Sequence, residues 1–259
     1  MGKIIAVANQ KGGVGKTTTA VNLASALGRA GKKVLMIDID PQGNATSGLG
    51  INKREIAVST YNLMISDAKI EDVLTKTRFK NLSILPSNMS LAGIEIELVE
   101  MEQRAYRLKQ AIAPVKDHFD YIFIDCPPSL GLITLNGLSA ASGLLVPIQC
   151  EYYALEGLSQ LISTVRQVKR LYNPDIEVEG VLLTMFDSRL NLTSQVVAEL
   201  KRHFADKVYK TVIPRNVRLS EAPSYGLPIQ YYDQQSRGGL AYNELAREFL
   251  RKQKALETS

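Results

Sequence analysis

Residues 10–18 read Gln10-Lys11-Gly12-Gly13-Val14-Gly15-Lys16-Thr17-Thr18 and join an apolar run at 4–8 to a stretch with helical spacing at 17–30. A strand that turns into a helix through glycines constrains the chain more than any other segment. Such a turn aims successive backbone N–H groups inward without Cβ clashes, which suits phosphate oxygens. The helix that follows adds the positive end of its dipole. Lys16 is placed to reach the terminal phosphates of a nucleotide, and the Thr17 hydroxyl to ligate Mg²⁺. The common pattern, G-x4-G-K-[ST], fails at its first position, where Gln10 stands; instead the loop carries an additional lysine, Lys11.

Six short apolar runs recur at 4–8, 34–37, 121–124, 144–148, 181–183 and 208–213. Most are continuously hydrophobic, as strands buried on both faces require. Helical spacing fills much of the rest, at 17–30, 155–171, 193–204 and 239–255. This alternation predicts an α/β fold, a doubly wound and mostly parallel sheet flanked by helices. Residues 51–120 read as mostly helical with a short strand near 82–85. No linker or repeat interrupts the 259 residues, so a single domain over 1–259 is expected, built around the phosphate loop.

Carboxylates follow two further strands. Asp38 and Asp40 alternate off the end of the run at 34–37, pointing the same way. That is the sheet edge where doubly wound folds bind ligands. Asp40 is expected to orient an attacking water, and Asp38 to support Mg²⁺ or its waters. The run at 121–124 ends in Asp125, the Walker B pattern, placed to hold a Mg²⁺-bound water. Pro127 and Pro128, then Gly131 as a hinge, read as a switch that a γ-phosphate could pull in. The string Asn52-Lys53-Arg54-Glu55 imitates a guanine-specifying motif but ends in Glu and comes too early, so adenine is favoured.

The net charge of +5 is local. Residues 201–218 carry six basic side chains (Lys201, Arg202, Lys207, Lys210, Arg215, Arg218) against Asp206 alone, and the remaining residues balance at 25 basic and 25 acidic. From charge alone such a cluster fits a solvated helix face and loop as well as nucleic-acid phosphates, and the lack of clustered aromatics near it argues against stacking on single strands. Cys126 and Cys150 fit no metal or redox spacing, and two histidines leave a zinc site short of ligands. With no secretory signal and no long apolar segment, the chain is expected to be cytoplasmic, with no membrane partner.

The strings KGGVGKTT, DIDPQGNATSGLG, IDCPPSLG, PIQCEYYALEGLSQL, GVLLTMFDSR, VYKTVIPRNVRLSEAPS and YDQQSRG together resemble the ParA/Soj family of partitioning ATPases, whose loop is the deviant Walker A type. The resemblance implies ATP-dependent sandwich homodimers that bind double-stranded DNA without sequence preference. It also implies hydrolysis stimulated by a ParB-type centromere-binding protein, and hence a nucleoid-associated location. On that pattern Lys11 reaches the partner subunit's phosphates, Pro214 and Asn216 contact adenine mainly through main chain, and Arg189 and Arg218 meet DNA. Larger members carry an N-terminal helix-turn-helix, for which little room precedes this loop. The alternative is a membrane-surface ATPase like MinD, using the C-terminal stripe Tyr242, Leu245, Ala246, Phe249 and Leu250. Acidic Glu244, Glu248 and Glu257 dilute its basic face, so packing onto the domain is expected instead.

Overall fold

A computed structural model describes residues 2–66, 68–150, 154–187, 189 and 191–257, with side chains left undescribed at 154–157, 191–195, 203 and 257. Residues 151–153, part of one family string, lie outside this description.

The chain runs β1 (Lys3–Val7), α1 (Lys16–Arg29), β2 (Val34–Asp38), α2 (Asn44–Gly48), α3 (Thr60–Ile65), α4 (Ile70–Val73), β3 (Thr75–Lys76) and β4 (Leu82–Leu85). It continues through α5 (Ile94–Val99), α6 (Arg107–Ile112), β5 (Tyr121–Asp125), α7 (Leu132–Ala140), β6 (Gly143–Gln149) and α8 (Ala154–Leu171). It closes with β7 (Glu177–Thr184), α9 (Asn191–Phe204), α10 (Val217–Glu221), α11 (Ile229–Tyr232) and α12 (Arg237–Glu257). The strands form one sheet in the order β3-β4-β2-β5-β1-β6-β7, parallel throughout except for the short edge strand β3.

The continuous apolar runs are explained by burial on both faces. Side chains alternate across a strand, so Tyr121 and Phe123 of β5 join a core with α1 and α12, while Ile122 and Ile124 join one with α7 and α8. β1 and β2 divide in the same way. The expected doubly wound sheet is therefore present, and its central strands fall on the apolar runs.

The run at 208–213 is the exception. Instead of a further strand it makes one isolated bridge to β7, Val181 with Val208, and a second bridge forms just beyond both segments, Phe186 with Pro214. Between them the Lys210 and Thr211 amides turn away from β7 and donate to the Glu248 carboxylate of α12, both at 2.8 Å. A side chain has taken the hydrogen bonds a ladder would need. Residues 51–120 form short helices rather than long ones, with β3 an added edge strand. The stripe of α12 packs inward, with Tyr242, Leu245, Ala246 and Phe249 buried.

Candidate functional site

Strand register builds the site. Asp125 ends β5 opposite Val7 of β1 on one side and Asp38 of β2 on the other. Adjacent strands lie roughly 4.8 Å apart. One sheet edge therefore carries the glycine-rich loop leaving β1 and two carboxylates beside it.

The loop itself requires glycine at two places. Gly13 and Gly15 have φ of 73° and 85°, left-handed values that a Cβ disfavours. Gly15 caps α1, and Gly12 and Gly13 are exposed at the mouth. The Lys16 ammonium folds over the loop onto the Lys11 carbonyl at 3.0 Å. Burial pushes the Lys16 ammonium below its ordinary value, while Asp125 foremost pulls it back up.

The carboxylates differ in kind. Asp38 accepts from the Asp40 amide at 3.1 Å, the Thr46 amide at 2.8 Å and the Thr46 hydroxyl at 2.7 Å. Its burial still raises it to about 6. Asp125 is equally buried, yet neither of its oxygens has a well-formed hydrogen bond. Burial first and Asp38 second push it well above the usual carboxylate range, and the nearby Thr17 hydroxyl and Lys16 offset part of this. Asp40 accepts from the Gln42 amide at 2.9 Å and is buried at the same edge. Polar groups this deep are ordinarily well paired, so a carboxylate so sparsely satisfied beside a phosphate loop could accept a cation or its water.

A cavity of about 450 Å³ opens beside the loop, lined by Gly15, Thr18, Thr184, Pro214, Asn216 and Tyr242 among others. The Asn216 side-chain oxygen is buried here without a partner. Pro214 and Asn216, distant in sequence from the loop, are thus brought against it. Thr18, in the first turn of α1, lines the cavity, and Val14 is buried in the loop.

Gly131, expected as a hinge, precedes α7 in an extended conformation. Its φ of −80° and ψ of −167° are open to any residue. What its missing Cβ permits is the close approach of the Glu95 carboxylate. Pro127 is buried and Pro128 exposed on the way to α7.

The basic cluster is exposed at all six positions. Arg189 and Arg218 are not bare, however. Arg189 makes a two-pronged pair with Asp187 at 2.9 and 2.6 Å, and Arg218 binds Glu221 at 2.9 Å and faces Asp233 at 3.5 Å.

Three site residues escape sequence reasoning. Asn9 accepts from the Lys11 amide at 3.0 Å and donates to the Pro147 carbonyl at 2.8 Å, tying the loop to β6. The Thr184 hydroxyl donates to the Val14 carbonyl at 2.8 Å. Thr46 holds Asp38 and also accepts from the Ser87 amide at 2.9 Å. Only Asn9, directly before the loop, carried a local signal.

A parallel sheet with a strand–loop–helix phosphate cradle and carboxylates at the same edge defines a P-loop nucleoside triphosphatase. Residues 2–178 match the family described as AAA domain. The chain is 59% identical over 248 residues to the sporulation initiation inhibitor protein Soj of Bacillus subtilis, covering 96% of this chain and 98% of that protein. It is 51% identical over 252 residues to the chromosome partitioning protein ParA of Myxococcus xanthus, covering 97% and 89%. A solved structure, cobyrinic acid a,c-diamide synthase from Mycobacterium smegmatis with bound ATP analog and magnesium, superimposes with TM-score 0.85 at 37% identity, covering 98% of this chain and 96% of the other. The chain belongs to the ParA/Soj family of chromosome-partitioning ATPases.

Proposed function

We propose that this ATPase is a nucleotide-gated DNA-partitioning switch, with the whole chain as one ATPase domain. The observation that carries the reading is Asp125: a fully buried carboxylate, lacking a well-formed hydrogen bond, beside Lys16 and Thr17. A bound nucleotide with its Mg²⁺ supplies what that carboxylate lacks.

In this reading the backbone of Gly12, Gly13, Val14 and Gly15, with Lys16, Thr17 and Thr18, holds the phosphates of ATP, and Pro214 and Asn216 hold adenine. Thr17 would hold Mg²⁺ directly, and Asp38 and Asp125 would hold it through water. When bound, Mg²⁺ neutralises charge developing on the phosphoryl oxygens. Asp40 orients the attacking water, and Lys11 brings a second cation to the partner subunit's phosphates in an ATP sandwich homodimer. Pro127, Pro128 and Gly131 carry the response away from Asp125.

Arg189, Arg218 and the exposed cluster around them would neutralise DNA phosphates without reading sequence. One subunit's few contacts give weak binding. Pairing two patches makes the second engagement intramolecular and raises affinity by roughly 10²–10⁴. ATP therefore gates DNA binding by filling the dimer, and a ParB-type protein would release it by stimulating hydrolysis. The expected setting is the cytoplasm, on the nucleoid. The MinD-like alternative draws less support, because the apolar stripe it would insert into lipid is already buried against the sheet.

Metal removal and two lysine variants test this reading. Excess EDTA should abolish phosphate release. Lys16→Ala should lose productive ATP binding, while Lys11→Ala should keep binding and lose dimer-dependent turnover. Turnover indifferent to EDTA, or untouched by Lys16→Ala, would contradict the reading.

A further inference from the structure

The segment from 208 to 216 is a strap between the sheet edge and the cavity that holds Pro214 and Asn216. Two places pin it to β7: the Tyr209 amide donates to the Val181 carbonyl at 2.9 Å, and the Ile213 amide to the Leu183 carbonyl at 2.8 Å. Between these pins the chain bows outward. There Glu248 of α12 accepts from the Lys210 amide, the Thr211 amide and the Thr211 hydroxyl, at 2.8, 2.8 and 2.7 Å. One turn further along α12, Lys252 sits over the Tyr209 ring at 4.3 Å from its centroid. Glu248 is 5% exposed, so it acts at close range rather than through solvent.

We infer that Glu248 is a positioning residue for the nucleotide-base pocket, holding the strap so that Ile213, Pro214 and Asn216 form the pocket wall. Three donors converge on one carboxylate, and none of the three has a strand partner to fall back on when that carboxylate is removed. Half-buried amides left without an acceptor force the backbone to move toward water. The freedom they gain runs along the strap through Val212 and bears on the Ile213 pin, whose amide and carbonyl are held by Leu183 and Phe186 and which with Pro214 lines the cavity. Glu248 touches neither the phosphate loop nor the carboxylates beside it, so its influence falls on the base and spares the phosphates. The inference rests on the reading of this cavity as the base site.

The test compares two probes, ATP and inorganic tripolyphosphate, on the full chain by calorimetry. Glu248→Ala should weaken ATP by about tenfold and leave tripolyphosphate nearly unchanged. Glu248→Gln keeps one carbonyl acceptor and should fall between the wild type and Glu248→Ala. A lesion that only loosened the fold would weaken both probes together. Unchanged ATP affinity in the variants, or equal losses for the two probes, would overturn the inference. If Glu248→Ala does not fold, Glu248→Gln decides it alone: a loss confined to ATP supports the inference, and an equal loss or none overturns it. If the wild type binds ATP no better than tripolyphosphate, the base-site reading itself falls, and the inference with it.

Discussion

Arg189 illustrates how a single residue can be placed for one partner while engaged by another. Its guanidinium closes on Asp187 in a two-pronged pair, which drops that carboxyl to about 2. Arg189 is 87% exposed, and ion pairs in water are weak enough for a phosphate to displace. If the chain binds DNA as proposed, the Asp187 charge would act as a restraint on that binding. Asp187→Asn should raise affinity for random duplex DNA about threefold at low salt, measured by fluorescence anisotropy. A fall in affinity would mean that Asp187 aims Arg189 rather than restrains it. Asp125 and Asp38 make the complementary point. Both are buried at the same register, but Thr46 and the Asp40 amide organise Asp38, while Asp125 faces the loop with no well-formed hydrogen bond and only the Thr17 hydroxyl and Lys16 nearby.

At the scale of elements, α12 does more than cover the sheet. Phe249 is fully buried and meets Tyr121 edge-on, with ring centroids 5.1 Å apart. Phe249→Ala should cost about 3–5 kcal/mol in urea unfolding. A loss well under 1 kcal/mol would mean that α12 leaves the domain readily, and would revive a membrane role for its stripe. The same helix shows where sequence reasoning stops. β1, β2, β5, β6 and β7 were legible because two-sided burial writes itself as uninterrupted apolar runs. So were the positions of Lys16, Asp38 and Asp125, each fixed by the end of such a run. The run at 208–213 looked alike but lost its strand to Glu248, 37 and 38 residues away. From sequence alone Glu248 read as an exposed acid diluting a basic face. Thr46 and Thr184 were silent for the same reason: their roles arise from partners that only folding supplies.

Across the full chain, ATP is proposed to control the affinity for DNA. Pro214 and Asn216 line the cavity beside the phosphate loop, and Arg215 and Arg218 lie in the same five residues, so the proposed base site and the charge share one short stretch of chain. The route from one to the other is therefore brief. Asp40→Ala should bind ATP without hydrolysing it and so hold the dimer. The most direct test is binding of that variant to random duplex DNA across a salt series, with ATP, with ADP and without nucleotide. Anionic lipid vesicles serve as the parallel surface. The account predicts tight DNA binding only with ATP, weakening steeply as salt rises, and no ATP-dependent gain on vesicles. ATP-driven binding to vesicles, with DNA binding absent even at low salt, would contradict it.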